Sequence, residues 1–463
     1  MPCLPSRGAH QADLVAEALE EDAMRRAGQF RCLVASSLRG TQLDPATLRR
    51  LRGPRLSATC VAIAPDESYV VCGCKDGALV RWELPSGQRT KLRGGRMAAF
   101  HSGAEDDLAD AADLPALEGA GGATGESTIG LRHTSTGAAA ADGPTGHLAD
   151  VLSVAVSSDG RLIASGGRDS LMLLWDARTN EVVQQFKGHR GPVRALARRR
   201  DGDGPELYSA SCDRTARVWD LEQRGYIETL YGHQEPMTCL DALCDQHLLS
   251  GAEDRTVRLW KVAEETQLLF TNGHTAPVDA VAMLHAEGFV SGGQDGALIM
   301  WSAKRKRPVA SVAAAHGLAD WGGPSWISAL ASPPFSDVAI SGSCDGLLRF
   351  WHCDEETRVL APLMSVPLVG FINDLAVAPS GKFVAAAVGQ EHRLGRWSRV
   401  SQARNSVCLL PLPAALHAKQ RLSAANAARK ARKGVVRAAD ADDDDDDDDD
   451  GDGDEEEEDG EEE

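Results

Sequence analysis

Five times along this chain a histidine, a serine and an aspartate return in the same order, with a tryptophan behind them. The sets are His147, Ser165, Asp169 and Trp175; His189, Ser209, Asp213 and Trp219; His233, Ser250, Asp254 and Trp260; His274, Ser291, Asp295 and Trp301; and His316, Ser341, Asp345 and Trp351. Serine, histidine and aspartate together can make a nucleophile, because the carboxylate orients the imidazole that takes the hydroxyl proton. A catalytic centre is needed once, however, and this trio recurs. The same four side chains also suit a buried relay. An indole N–H only donates, a hydroxyl donates and accepts, and a neutral imidazole does each once, ending on the carboxylate. Each such bond contributes about 1 kcal/mol net, whereas an orphaned buried group costs about 1–3 kcal/mol. The sets therefore read as structure, and no catalytic residue, metal ligand or cofactor site is assigned.

Such a relay needs strands to carry it. "VLSVAVSSDGRLIASGGRDSLMLLWDARTNEVVQQF" alternates as four short strands separated by turns. The tryptophans recur at seven places when Trp82 and Trp397 are added, most of them 41 to 50 residues apart. An acid stands six residues before each: Asp76 before Trp82 and Glu391 before Trp397 complete the series. Four strands per repeat with a Gly-His…Trp-Asp signature resemble the WD-repeat family. That resemblance implies an all-β fold, a seven-bladed β-propeller over residues 47–413, whose radial closure leaves only short strand edges. In that family the His-Ser-Asp-Trp tetrad pins the strands of a blade.

Two repeats depart. The first has Pro54 and Cys72 where His and Ser are expected, so packing must hold it. The last lacks both, with Ala387 and Glu391 in the Ser and Asp places. Either "TLRRL" (Thr47–Leu51) or "SVCLLPL" (Ser406–Leu412) fits the outer strand that closes the ring.

Outside the ring, residues 1–46 read as a helical extension, with Leu14, Ala18 and Leu19 on one face and Phe30, Leu33 and Val34 on another. Residues 93–145 form a flexible insertion whose "EGAGGATGES" lacks the lysine of a phosphate loop. A shorter insertion carries Trp321 and Trp326, which either pack over the ring edge or stack on a partner. Residues 414–439 are a basic linker. Its Lys419, Arg421, Arg429, Lys430, Arg432 and Lys433 are candidates for a nuclear import signal.

The net charge of −19 belongs to the end of the chain. Residues 440–463 hold 20 acids and no base, and the remaining 48 acids against 49 bases leave +1. A block of like charge this dense reads as a disordered tail. The 11 cysteines show no paired metal-ligand spacing, which fits reduced thiols in a nuclear or cytosolic protein. No apolar run is long enough to span a membrane.

Function must come from what a propeller does not need. Three stretches are basic: Arg198–Arg200, Lys304–Arg305–Lys306–Arg307, and the last repeat, with Gln390, His392, Arg393, Arg396, Arg399, Arg404 and Asn405. Together on one face they would suit a phosphate backbone. "GQEHRLGRW", "ARNSVC" and "ETLYGHQEPMTCLDAL" further resemble the U3 small nucleolar RNA-interacting WD-repeat proteins, also called the ribosomal RNA-processing protein 9 family. The resemblance implies a non-catalytic subunit of the U3 box C/D ribonucleoprotein. It implies as partners the U3 RNA, the kink-turn-binding core protein and proteins of the small-subunit processome, and a place in the nucleolus. It implies no small-molecule substrate and no membrane. Replacing Arg393, Arg396 and Arg404 is then expected to weaken assembly without altering the melt. The other reading is a substrate receptor of a cullin-ring ubiquitin ligase, from Trp175-Asp176-Ala177-Arg178.

Overall fold

The computed structural model describes residues 31–41, 43–92, 146–200, 204–244, 247–319 and 322–417. They form seven antiparallel four-stranded sheets. Blade 2 shows why the sequence folds so. Its strands are Val151–Val156, Leu162–Gly167, Met172–Asp176 and Val182–Phe186, running from inner to outer. Apolar runs make the inner strand wholly buried, and the outer strand keeps only Phe186 fully inside. Between third and outer strands, the Asp176 carboxylate accepts from the Arg178 N–H at 2.7 Å, so the acid after the tryptophan caps its own turn. Asp220 and Asp354 do the same in blades 3 and 6.

Neighbouring blades meet where a glycine of one admits a β-branched residue of the next. A Cβ on Gly166 would lie 2.6 Å from Val193, and one on Gly342 would lie 2.4 Å from Ile372. Gly73, Gly251 and Gly292 occupy the same place against Val151, Val278 and Ile327. Without side chains there, second strands come close enough to the next inner strands for the ring to narrow toward its axis.

Both candidate closing segments belong to the last blade. Its inner, second and third strands are Phe371–Val377, Phe383–Gly389 and Ser406–Pro411, and Arg49–Arg52 is its outer strand. Leu51 pairs with Val407 and packs with Trp82 and Leu409. The chain's two ends therefore share one sheet, which fixes the ring by backbone hydrogen bonds.

Of the expected N-terminal helical segment, the described residues hold one short α-helix, Ala35–Leu38, and the start of a 3-10 turn at Pro45–Thr47. Asp337 anchors the helix, accepting from the Val34 and Ala35 N–H groups at 2.8 and 3.1 Å. Residues 1–30, the 93–145 insertion, Trp321, the candidate import signal and the acidic tail lie outside the described residues. No described helix is long and apolar enough to cross a membrane. The ten described cysteines are free thiols.

Candidate nucleic-acid interface

The five tetrads show one geometry. In blade 2 the Trp175 indole donates to Ser165 Oγ at 2.8 Å, that hydroxyl meets His147 Nε2 at 2.7 Å, and His147 Nδ1 meets the Asp169 carboxylate at 3.0 Å. The indole can only donate, so the serine hydrogen points to Nε2, and the imidazole proton sits on Nδ1 facing the acid. The other sets repeat this within 2.7–3.1 Å. Burial opposes ionisation of Asp213, yet bonds from His189, Thr215 and the Arg190 amide outweigh it and hold the carboxyl well below its usual range. All five serines are fully buried, so none of these hydroxyls can meet a substrate.

Antiparallel strands put the loops between second and third strands at the same end as the loops between blades, and all other turns at the opposite end. The tetrad acids and histidines mark the first end. The three basic stretches do not share it. Arg198–Arg200 and Lys304–Arg307 lie in turns at the opposite end, whereas residues 390–405 lie at the tetrad end. A single basic face made from all three is therefore ruled out by topology. Arg200 is structural: it binds Asp241 at 2.6 Å and the carbonyls of Ser332 and Met283. Lys304 pairs with Glu287 at 2.6 Å, and Arg305, Lys306 and Arg307 are exposed on the outer strand of blade 5.

Trp397 is not the seventh blade tryptophan. Ala386 takes the serine place and pairs with Cys408, and Leu410, opposite Val384, takes the register that Trp175 and Trp219 hold elsewhere. Ten residues separate Ser165 from Trp175, but 24 separate Ala386 from Leu410, so the last blade carries a fourteen-residue insertion. The spacing of Glu391 and Trp397 is coincidental. The apolar run at 406–412 was the sequence signal for the true third strand.

That insertion is a built loop. Gln390 fixes its base, receiving Arg399 Nη2 on its side chain at 2.9 Å and donating to the Ala403 carbonyl at 2.8 Å. Asn405 accepts from the Gln390 N–H at 2.9 Å. His392 is buried beside Trp326, Phe371 and Trp397. Burial first, then the charges of Arg393 and Lys75, push its pKa down to about 3, so it is neutral. Arg393 turns inward: its backbone N–H bonds Asn373 at 2.8 Å, and its guanidinium bonds the Asp279 carbonyl at 3.0 Å in the upper central channel. Lys75, from the tetrad-less first blade, donates to the Gly395 carbonyl at 2.9 Å and so ties blade 1 to the loop. Arg396, Arg399 and Arg404 remain exposed, with Arg396 also reaching Glu391 at 3.2 Å.

Six further cations are exposed at this end: Arg55, Arg168, Lys187, Arg190, Arg214 and Arg255. With the three loop arginines, they face a single exposed carboxylate, Glu235, among the described residues of these loops. Sequence reasoning passed over them because each stands alone beside a repeat mark. Only closure of the ring brings them together. Trp326 joins the same surface, its ring 5.9 Å from that of Trp397.

Seven four-stranded sheets, closed by the chain's own first strand and pinned by repeated tetrads, define a WD40 β-propeller with one decorated end. The WD domain, G-beta repeat family matches residues 46–83, 143–176, 180–220, 225–261 and 318–352. U3 small nucleolar RNA-interacting protein 2 of Homo sapiens is 38% identical, covering 87% of this chain and 76% of that protein. Ribosomal RNA-processing protein 9 of Saccharomyces cerevisiae is 30% identical over 57% of this chain and 58% of its own length. The solved "Structure of U3-55K" superposes with a TM-score of 0.67 at 37% identity, over 80% of this chain and all of that one. "Crystal structure of RRP9 WD40 repeats" gives the same score and identity over 81% and 99%. The chain belongs to the family of U3 small nucleolar RNA-interacting WD-repeat proteins.

Proposed function

We propose that this protein is a non-catalytic WD-repeat subunit of the U3 box C/D ribonucleoprotein. It holds U3 RNA and partner proteins on the tetrad end of the ring, in support of pre-ribosomal RNA processing in the nucleolus. The observation that carries the reading is the 390–405 loop: a fold that needs only a short turn there instead builds a braced loop presenting Arg396, Arg399 and Arg404. A rigid cationic surface suits structured RNA, which is read largely through shape, phosphates and 2′-hydroxyls. The names of the relatives support U3 RNA as the ligand. The kink-turn-binding core protein and processome proteins are the proposed neighbours, and Lys419 to Lys433 the proposed import signal. Crosslinking from cells followed by RNA sequencing tests the reading. Strong enrichment of U3 RNA is expected; a diffuse messenger-RNA background, with ligase subunits co-purifying, overturns it.

A further inference from the structure

Six blade tryptophans are at most 4% exposed, and Trp397 is 58% exposed. Burying an aromatic side chain of this size contributes roughly 1.5–3 kcal/mol to folding, so exposure of this one is not explained by the fold. Nor is it loosely held. A Cβ on Gly395 would lie 1.8 Å from Cζ3 of the indole, which means the ring rests directly on the Gly395 backbone. His392 supports it at 5.3 Å with a 36° interplanar angle, and Trp326 flanks it at 5.9 Å. Lys75 and Asn373 brace the backbone beneath, through the Gly395 carbonyl and the Arg393 N–H. Arg396 and Arg399 stand one and two residues away, in a surface whose described residues include nine exposed cations and one exposed acid. A preorganised π face among guanidinium groups is chemically matched to a planar base on an anionic backbone. An apolar protein surface would not call for the surrounding charge.

We propose that Trp397 is a stacking platform for an unpaired RNA base, with Arg396 and Arg399 positioned for the adjoining phosphates. This rests on the reading of the tetrad end as the RNA-binding end, and it names the class of nucleotide bound there. The bases of an A-form duplex are closed in their stack, whereas loops, bulges and single strands can splay a base onto an aromatic ring.

The test uses the full chain and two probes. The first is a single-stranded oligoadenylate carrying one 2-aminopurine, whose fluorescence is quenched by stacking. The second is U3 RNA with 2-aminopurine at single unpaired positions, compared with a fully paired RNA of equal length. Quenching is expected with the oligomer and at one U3 position. Trp397→Ala and Trp397→Leu should abolish it and weaken binding about ten- to a hundred-fold, while Trp397→Phe keeps most of both. The melting temperature should stay constant, and the salt dependence of binding should not change, because no phosphate contact is lost. Full quenching in Trp397→Leu, or equal loss of duplex and single-strand binding, overturns the stacking proposal. If the oligomer is stacked but U3 RNA is not bound, the proposal stands and the U3 reading falls. If U3 RNA is bound with no quenching at any position, the reverse holds.

Discussion

Val384 faces Leu410 across the last blade, at the register where Ile163 faces Trp175 in the second. The last blade thus holds neither indole, serine nor histidine at the relay places. Where no N–H has to be satisfied, a leucine packed in one core cluster with Val384 and Phe350 serves as well, and the whole relay is dispensable. No relay ties the turn between this blade's second and third strands, and residues 390–405 form that turn.

Where the relay persists, breaking it should be costly. Ser209→Ala leaves the Trp219 N–H and His189 Nε2 without their partner in a sealed site. The expected loss is about 1–3 kcal/mol, read as a lower denaturant midpoint. A variant as stable as the parent would show that the tetrad does not hold the blade.

The arginines of the loop should separate into two kinds. Arg393→Ala removes the bond to the Asp279 carbonyl and the only loop cation near the buried Asp279 and Asp374 carboxyls. It should lower the melting temperature. Replacing Arg396 and Arg404 together should leave the melt unchanged, weaken RNA binding, and reduce the slope of log affinity against log salt by up to about two. The expectation that Arg393 could be grouped with the surface arginines is thereby revised. If this double variant unfolds instead, Arg396 and Arg404 brace the loop as Arg399 does through Gln390.

Six blades were legible in the sequence because a short turn fixes the Ser-to-Trp distance at ten residues, as from Ser165 to Trp175. The seventh was misread because an insertion happened to place Trp397 six residues after Glu391, while strand alternation continued only at Ser406. The charge of the loop was legible, but its division was not. Arg393 and Arg396 look alike in sequence, and only the depth of the central channel beside the loop separates them. The faces were hidden for the same reason: Lys304–Arg307 and Arg396 lie at opposite ends because of strand parity, which requires every strand boundary to be known.

Buried His392 should make the protein acid-sensitive above the carboxylate range. Its folded pKa is about 3, held down by burial and by Arg393 and Lys75, against an unfolded value near ~6.5. As pH falls below that unfolded value, the unfolded chain binds a proton that the folded chain refuses. Stability should therefore decline from about pH 6.5 toward 3, at up to about 1.4 kcal/mol per pH unit from this group. His233, whose pKa burial also lowers, adds in the same direction. Asp374 opposes them, since burial raises its folded pKa to about 6 and favours the folded state as that carboxyl protonates. His392→Phe keeps the aromatic packing and removes one of these titrations. Denaturant midpoints at pH 7, 6, 5 and 4 should fall less steeply for this variant; parallel profiles would show that His392 is not responsible.

The glycine seats between blades predict a coupling that contact with solvent or ligand cannot explain. A methyl group on Gly342 would stand 2.4 Å from Ile372 Cγ2, and both residues are wholly enclosed between blades 6 and 7. Gly342→Ala should therefore destabilise by about 1–3 kcal/mol through overpacking. Ile372→Ala removes Cγ2 and should cost about 2–5 kcal/mol as a cavity. In the double variant the new methyl enters the space the isoleucine vacated. Its cost should fall short of the sum of the two by about 0.5–3 kcal/mol. Additive effects would mean that the blades can part slightly at no cost, and that the glycine is tolerated there rather than required.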